Sequence, residues 1–132
     1  MGEGMKGDSD VVLEYNNRNH PIVVKKVAKK LLAKSGGVVI AKTDKAYLLE
    51  ESGHKPVYYF PISDVRSDVL EPTDTVSTCP FKGRAHYYSL LIGDRKITDA
   101  VWQYSEPSDE FTAIGDYVAF YDKAIDGIEE IE

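Results

Sequence analysis

The chain has 132 residues, a hydrophobic fraction of 42% and a charged fraction of 29%, a composition typical of one globular domain and not of a disordered or fibrous chain. Its 16 basic and 22 acidic residues give a net charge of -6, which argues against a broad phosphate-binding surface, so we expect no nucleic acid as a partner. No apolar run reaches the roughly 20 residues that cross a bilayer, and no apolar stretch follows the first charges as it would in a signal peptide, so the sequence predicts a cytoplasmic protein without membrane association.

The first third of the chain contains a polar leader and then a periodic apolar segment. Residues 1–10 are glycine-rich and polar, which predicts a disordered leader before a single β domain at 11–132. Between Val24 and Leu32 the apolar residues recur at helical spacing, which favours a short helix before the turn Gly36-Gly37.

From Val38 the pattern changes to that of β-strands. Residues 38–41 and 46–50 are apolar runs joined by a polar loop, which predicts a hairpin. Residues 57–60 form an aromatic strand between two prolines, and the following Asp64 and Asp68 fit a turn or one helical turn. Residues 75–79 continue the β pattern.

The last third predicts a long hairpin, one helix and a final strand. Gly93-Asp94 is a favoured two-residue turn, so 85–92 and 95–104 should pair around it. Ser108 and an acidic first turn predict one short helix near 108–114. Residues 117–121 then form the last strand, and the acidic residues 126–132 a solvated tail. About seven short strands with turn signals indicate a mainly β, antiparallel fold.

The segment 78–83 brings a thiol and a cation close together. A thiol reacts chiefly as the thiolate, and the ammonium of Lys82 would stabilise that anion on Cys79, so these two residues are the candidates for catalysis. The alternative interpretation is that Cys79 is a small buried apolar residue at the end of a strand, since free cysteine is among the most buried residue types.

The chain also carries a large set of aromatic residues. Trp102 and Tyr104 share one face of a strand and can sandwich a flat or cationic ligand, while Lys82 or Arg84 meets an anionic part. We therefore predict a ligand pocket lined by Tyr58, Cys79, Lys82, Tyr87, Trp102 and Tyr104. Ordinary cross-strand packing of aromatic side chains is the alternative.

Metal and cofactor sites lack their usual signals. Cys79 is the single cysteine, so an intrachain disulfide and a paired-cysteine zinc site are both excluded. The three histidines, His20, His54 and His86, are not at ligand spacing, and there is no glycine-rich phosphate loop. We expect neither a metal nor a cofactor.

Several motifs of the chain together resemble one known family. They are HPI at 20–22, GG at 36–37, YYFP at 58–61 followed by Asp64-Val65, CPFKG at 79–83, WxY at 102–104 followed by Pro107, and YVAFY at 117–121. This set, spread over residues 20–128, resembles the family called domain of unknown function 427, which is sometimes labelled nucleotidyltransferase-like. The resemblance implies a β-tent, or Mss4-like, fold with two antiparallel sheets around a pocket, and strands instead of a helix before Gly36.

The sequence also departs from what the resemblance implies. Relatives with the β-tent fold often bind zinc through paired cysteines, which this chain lacks. The basic residue usual after the aromatic strand is Ile62 here, and the acidic residue usual after the Lys-Gly pair is Arg84. The nucleotidyltransferase label has no support from the sequence, since the Gly-Ser loop and the paired aspartates of that chemistry are missing.

Three functions follow as hypotheses from these residues. The first is a domain that binds an unidentified small molecule in the aromatic pocket. The second is an enzyme that uses Cys79 as a nucleophile or redox thiol. The third is a protein-interaction module, which would need an exposed apolar patch or a free strand edge.

Overall fold

The computed structural model describes residues 10–131, and most of them lie in β-strands. The leader predicted for 1–10 therefore falls, apart from Asp10, outside the described residues. These residues contain eleven strands in chain order: β1 Val11–Asn16, β2 Pro21–Lys26, β3 Lys30–Ser35, β4 Val38–Thr43, β5 Tyr47–Glu51, β6 Val57–Pro61, β7 Leu70–Cys79, β8 Gly83–Ile92, β9 Arg95–Pro107, β10 Tyr117–Phe120 and β11 Gly127–Ile131. The predicted mainly β fold of a single domain is confirmed.

Two antiparallel sheets contain these strands. The larger has eight strands in the order β1-β2-β5-β6-β10-β9-β8-β7, and the smaller has three in the order β11-β3-β4. The β-tent arrangement implied by the resemblance stays a prediction. No helix within residues 10–131 is long and apolar enough to cross a membrane.

Within the described residues, helical structure is limited to short 3-10 segments at Ile62–Asp64, Ser67–Val69, Asp109–Ile114 and Asp122–Ala124. The helix predicted near 108–114 is thus confirmed, and it buries Phe111 and Ile114. Ser108 does not cap it with its side chain. Its hydroxyl instead donates a hydrogen bond to the carbonyl of Phe81 at 2.7 Å, which ties the helix to the loop after β7.

The helical spacing between Val24 and Leu32 does not produce a helix, and the strands implied by the resemblance are present. In β2 the buried residues are Ile22 and Val24, and in β3 they are Leu31, Ala33 and Ser35. Each set alternates with a period of two, as a strand requires. The helical spacing arose because two separate strands follow each other closely in the sequence.

The predicted hairpin of 38–41 and 46–50 is wrong. β4 pairs with β3 in the smaller sheet, whereas β5 pairs with β2 and β6 in the larger one. The polar residues between β4 and β5 therefore connect two sheets and do not form a hairpin turn. A local pattern of two strands and a loop cannot distinguish these arrangements, because the partner strands come from elsewhere in the chain.

The predicted solvated tail at 126–132 is also wrong for most of its length. β11 pairs with β3 from Gly127 opposite Lys34 to Ile131 opposite Lys30. The carboxylate of Asp126 accepts the amide N–H groups of Gly36 at 3.0 Å and Gly37 at 2.8 Å, both of which have positive φ. Residues 117–121 are accordingly not the last strand of the chain.

The core has two parts, one on each face of the larger sheet. Along β10, Val118 and Phe120 join a cluster that also contains residues of the smaller sheet, such as Leu31. Ala119 joins a second cluster with Phe111. Successive side chains of a strand point to opposite faces, so neighbouring residues in the sequence enter different clusters. The second cluster surrounds the candidate site.

Candidate functional site

A cavity with a volume of about 520 Å³ lies beside the second cluster. A volume of this size is within the range of small-molecule pockets. Its walls carry aromatic, charged and sulfur-containing side chains: His20, Leu49, Glu51, His54, Lys55, Val57, Tyr59, Cys79, Pro80, Phe81, Lys82, Tyr87, Trp102, Tyr104 and Tyr121.

The long hairpin of β8 and β9 supplies the centre of the aromatic wall. The hairpin forms as predicted, with Ile92 opposite Arg95 around the turn. Beyond a register shift between Leu90 and Tyr88, Tyr87 lies directly opposite Trp102. The indole N–H of Trp102 donates a hydrogen bond to the hydroxyl of Tyr59 at 3.1 Å. The Trp102 ring also lies 4.6 Å from that of Tyr121. These contacts fix the orientation of the indole at the cavity.

Cys79 is the last residue of β7, and Lys82 lies in the loop that leads to β8. The amide N–H of Lys82 donates to the Cys79 sulfur at 3.4 Å, and the Lys82 carbonyl accepts the amide N–H of Ser108 at 3.0 Å. Gly83 has a φ of 116°, and a Cβ at this position would approach the Glu106 carbonyl oxygen to 2.5 Å. The close approach of β9 therefore requires glycine directly after Lys82.

A buried ion pair forms the charged end of the cavity. The Lys82 ammonium lies 2.5 Å from Glu51 Oε1, and the two side chains are only 11% and 8% exposed. His20 Nε2 lies 2.8 Å from Glu51 Oε2, and His54 Nε2 lies 3.8 Å from the same oxygen. Burial raises the pKa of Glu51, but the hydrogen bonds from Lys82 and His20 outweigh it and hold that pKa below the ordinary value of 4.5.

The Lys82 ammonium retains capacity for further hydrogen bonds. It carries three N–H groups, and Glu51 is its one hydrogen-bond acceptor within residues 10–131. The ammonium also lies 5.6 Å from the centre of the Tyr104 ring, within the range of a cation–π contact. Both Glu51 oxygens, in contrast, already face basic groups.

Three tyrosines of the cavity, Tyr59, Tyr104 and Tyr121, have a pKa above the ordinary value of 10, which keeps them neutral at physiological pH. Burial, followed by nearby negative charge, raises the pKa of Tyr104 well above its ordinary value. Burial also raises the pKa of Tyr59 well above its ordinary value, although the hydrogen bond from Trp102 acts to lower that pKa. For Tyr121, burial and the hydrogen bond with Tyr87 raise the pKa to about 12. These hydroxyls can therefore serve as hydrogen-bonding groups without adding charge.

Five of the six residues predicted for the pocket line this cavity: Cys79, Lys82, Tyr87, Trp102 and Tyr104. The sixth, Tyr58, packs against the first core cluster on the other face of the sheet. Its neighbour Tyr59 takes the cavity position, because adjacent strand residues face opposite sides. Arg84 does not line the cavity and lies 3.9 Å from Glu106. Whether these residues bind a ligand stays a prediction.

Sequence reasoning missed Glu51 as a site residue. It is 31 positions away from both His20 and Lys82, and no motif connects the three. The one available signal was its place at the end of β5, a strand that reaches the site only through pairing with β2 and β6. No group of three or more metal-ligating side chains occurs in the described part of the chain.

Comparison with known proteins gives a family. No curated protein matches the chain. A family described as "Domain of unknown function (DUF427)" matches residues 23–131, which is most of the sequence. The matched range includes every strand of the smaller sheet. It also includes every residue that lines the cavity except His20. The chain therefore belongs to the DUF427 family.

Proposed function

We propose that this domain binds a small molecule in the cavity. The observation that carries the proposal is a 520 Å³ cavity with an ordered aromatic wall at one side and a buried Glu51–Lys82 pair at the other. Concave, mainly apolar sites with a few fixed polar groups are the usual form of small-molecule sites. The net charge of -6 supports the further proposal of a partner other than nucleic acid. The single cysteine is compatible with the proposed cytoplasmic location.

The charges of the site favour a ligand with an acceptor group, such as a carboxylate. Glu51 already faces Lys82 and His20, whereas the Lys82 ammonium has N–H groups to spare. A flat apolar part of the same ligand would pack on Trp102 and Tyr87. The simplest probe with both parts is benzoate, and phenyltrimethylammonium is the matching probe of opposite charge.

The test uses the fluorescence of Trp102, the one tryptophan of the chain. Benzoate should change this fluorescence saturably and bind about tenfold more tightly than phenyltrimethylammonium, since a hydrogen bond to a charged group is worth about 1.5 kcal/mol or more. The double variant Glu51→Gln/Lys82→Gln should lose this preference. The matched control is Glu71→Gln/Lys96→Gln, which neutralises an exposed ion pair away from the cavity. This control should keep the preference for benzoate. The proposal fails if neither probe gives a saturable change.

A covalent role for Cys79 is the second candidate function. The thiol lines the same cavity, which supports its access to a bound molecule. Its sulfur also accepts a hydrogen bond from the Lys82 amide. Within residues 10–131, however, no imidazole or carboxylate is hydrogen-bonded to the sulfur as an activating base would be. Iodoacetamide at neutral pH is the test. Labelling of Cys79 much faster than that of a free thiol supports this function, and slow labelling contradicts it.

A further inference from the structure

A second cavity adjoins the first on the side away from the Glu51–Lys82 pair. It has a volume of about 220 Å³, and four apolar or aromatic residues occur in its lining and not in that of the first: Pro56, Tyr58, Phe120 and Ile128. Four further residues line both cavities: Lys55, Val57, Trp102 and Tyr121. These four residues therefore form a wall that the two spaces share.

The boundary between the cavities is formed in part by exposed groups. Tyr121 is 38% exposed, and its ring is tilted by 52° against Trp102. Lys55 and Asp122 form an ion pair there, and their side chains are 74% and 70% exposed. Exposed pairs of this kind contribute little to stability, so a ligand can separate them at little cost.

The two spaces differ in polarity. The buried charged groups, Glu51 and Lys82, belong to the first cavity alone. The charged residues of the second cavity are Lys55 and Asp122, which pair with each other and are exposed. A molecule that filled both spaces would thus meet hydrogen-bonding groups at one end and an apolar surface at the other.

We infer that the natural ligand is amphipathic, with an acceptor head at Lys82, a flat or narrow part beside Trp102 and an apolar tail in the second cavity. This inference rests on the proposed function and adds the chemical class of the ligand. Tyr58, which does not reach the first cavity, contacts the tail. One continuous site then contains all the residues that the sequence suggested for a pocket.

The test is titration calorimetry with a series of 4-alkylbenzoates from methyl to octyl. Each methylene that enters an apolar space contributes about 0.8 kcal/mol, so affinity should rise by about threefold to fourfold per carbon and level off when the second cavity is full. In the variant Ile128→Phe the rise in affinity along the series should end at a shorter chain than in the wild type. Tyr58→Trp narrows the same space from another strand and should act in the same way.

The matched control is Ile131→Phe, which enlarges a side chain of the same strand β11 that lines neither cavity, and it should behave as the wild type. Binding of 4-methylbenzoate without a gain from longer tails overturns this inference and leaves the proposed function standing. An equal gain in the wild type, Ile128→Phe and Tyr58→Trp also overturns it. If no member of the series binds, the inference and the proposed function fall together.

Discussion

Glu51 and Lys82 decide much of the chemistry of the cavity at the scale of single residues. Each is almost fully buried, and each needs the other, because a buried charge without a partner is far more costly than a buried pair. His20 adds a hydrogen bond to the carboxylate and stacks on Phe81 at 4.5 Å, so the loop after β7 and the turn before β2 are joined at this point.

Removal of one member of this pair should destabilise the fold more than removal of both. We expect Lys82→Gln to lower the free energy of unfolding by about 3 kcal/mol, and Glu51→Gln/Lys82→Gln to lower it by about 1 kcal/mol or less, because only the single variant leaves a buried charge unpaired. Urea denaturation of the three proteins measures the difference. Lys96→Gln, which breaks an exposed pair with Glu71, should cost about 0.5 kcal/mol or less. Equal losses for Lys82→Gln and Lys96→Gln would contradict this.

The same pair should make stability sensitive to acid. The folded pKa of Glu51 is below its unfolded value of 4.5, so its contribution is complete above that value and is lost as the pH falls through the lower, folded pKa. Denaturation curves at about pH 7, 5, 4 and 3 should therefore show a steeper loss of stability below about pH 4.5 in the wild type than in Glu51→Gln/Lys82→Gln. Parallel curves for the two proteins would show that Glu51 is not responsible.

At the scale of elements, β8 illustrates how a strand divides its side chains between two environments. Tyr87 lines the cavity, whereas Tyr88 points to the opposite face and donates a hydrogen bond to Gln103 Oε1 at 2.9 Å. The pairing of β8 with β9 was predictable, because the turn Gly93-Asp94 is a local signal. The sequence could not predict which of Tyr58 and Tyr59 lines the cavity. The alternation of side chains along a strand defines two faces, but it does not say which face is at the cavity.

The two adjacent tyrosines of β8 provide a matched pair of variants. Tyr87→Leu should weaken benzoate binding about tenfold, since it removes an aromatic surface from the cavity wall. Tyr88→Leu should leave the affinity unchanged, although it removes the hydrogen bond to Gln103 and lowers the melting temperature. Titration calorimetry and thermal unfolding separate the two effects. A loss of affinity in both variants would mean that a general change in the strand, and not the ring of Tyr87, governs binding.

Asp126 should stabilise the smaller sheet through the turn between β3 and β4. Its carboxylate accepts the amides of Gly36 and Gly37, whose hydrogen bonds hold the pKa of Asp126 below the ordinary value. We expect Asp126→Ala to lower the melting temperature and Asp126→Asn to lower it less, because an amide oxygen can still accept one of these bonds. Asp94→Ala, in the turn of the other hairpin, is the control. Equal melting temperatures for Asp126→Ala and Asp94→Ala would contradict the role of Asp126.

At the scale of the whole molecule, the fold depends on pairings between distant segments. The sequence predicted the class, the aromatic strand β6 and the helix Asp109–Ile114, all of which have local signals. It did not predict that β4 and β5 separate into different sheets or that β11 is a strand. Glu129 and Glu130 give β11 the composition of a solvated tail, and only its pairing with β3 makes it part of the fold. The Glu51–Lys82 contact was hidden for the same reason.

The pairing of β3 with β11 has a consequence for how the protein forms during translation. Ser35 donates a hydrogen bond to the carbonyl of Ala124 at 2.7 Å, and β3 pairs with β11 from Lys30 to Lys34. The middle strand of the smaller sheet therefore depends on residues made about 90 positions later. While the ribosome completes those positions, the open edge of β3 is available to other nascent chains. Nascent chains released before β11 should therefore be targets for chaperones and proteases, whereas full-length chains close that edge themselves.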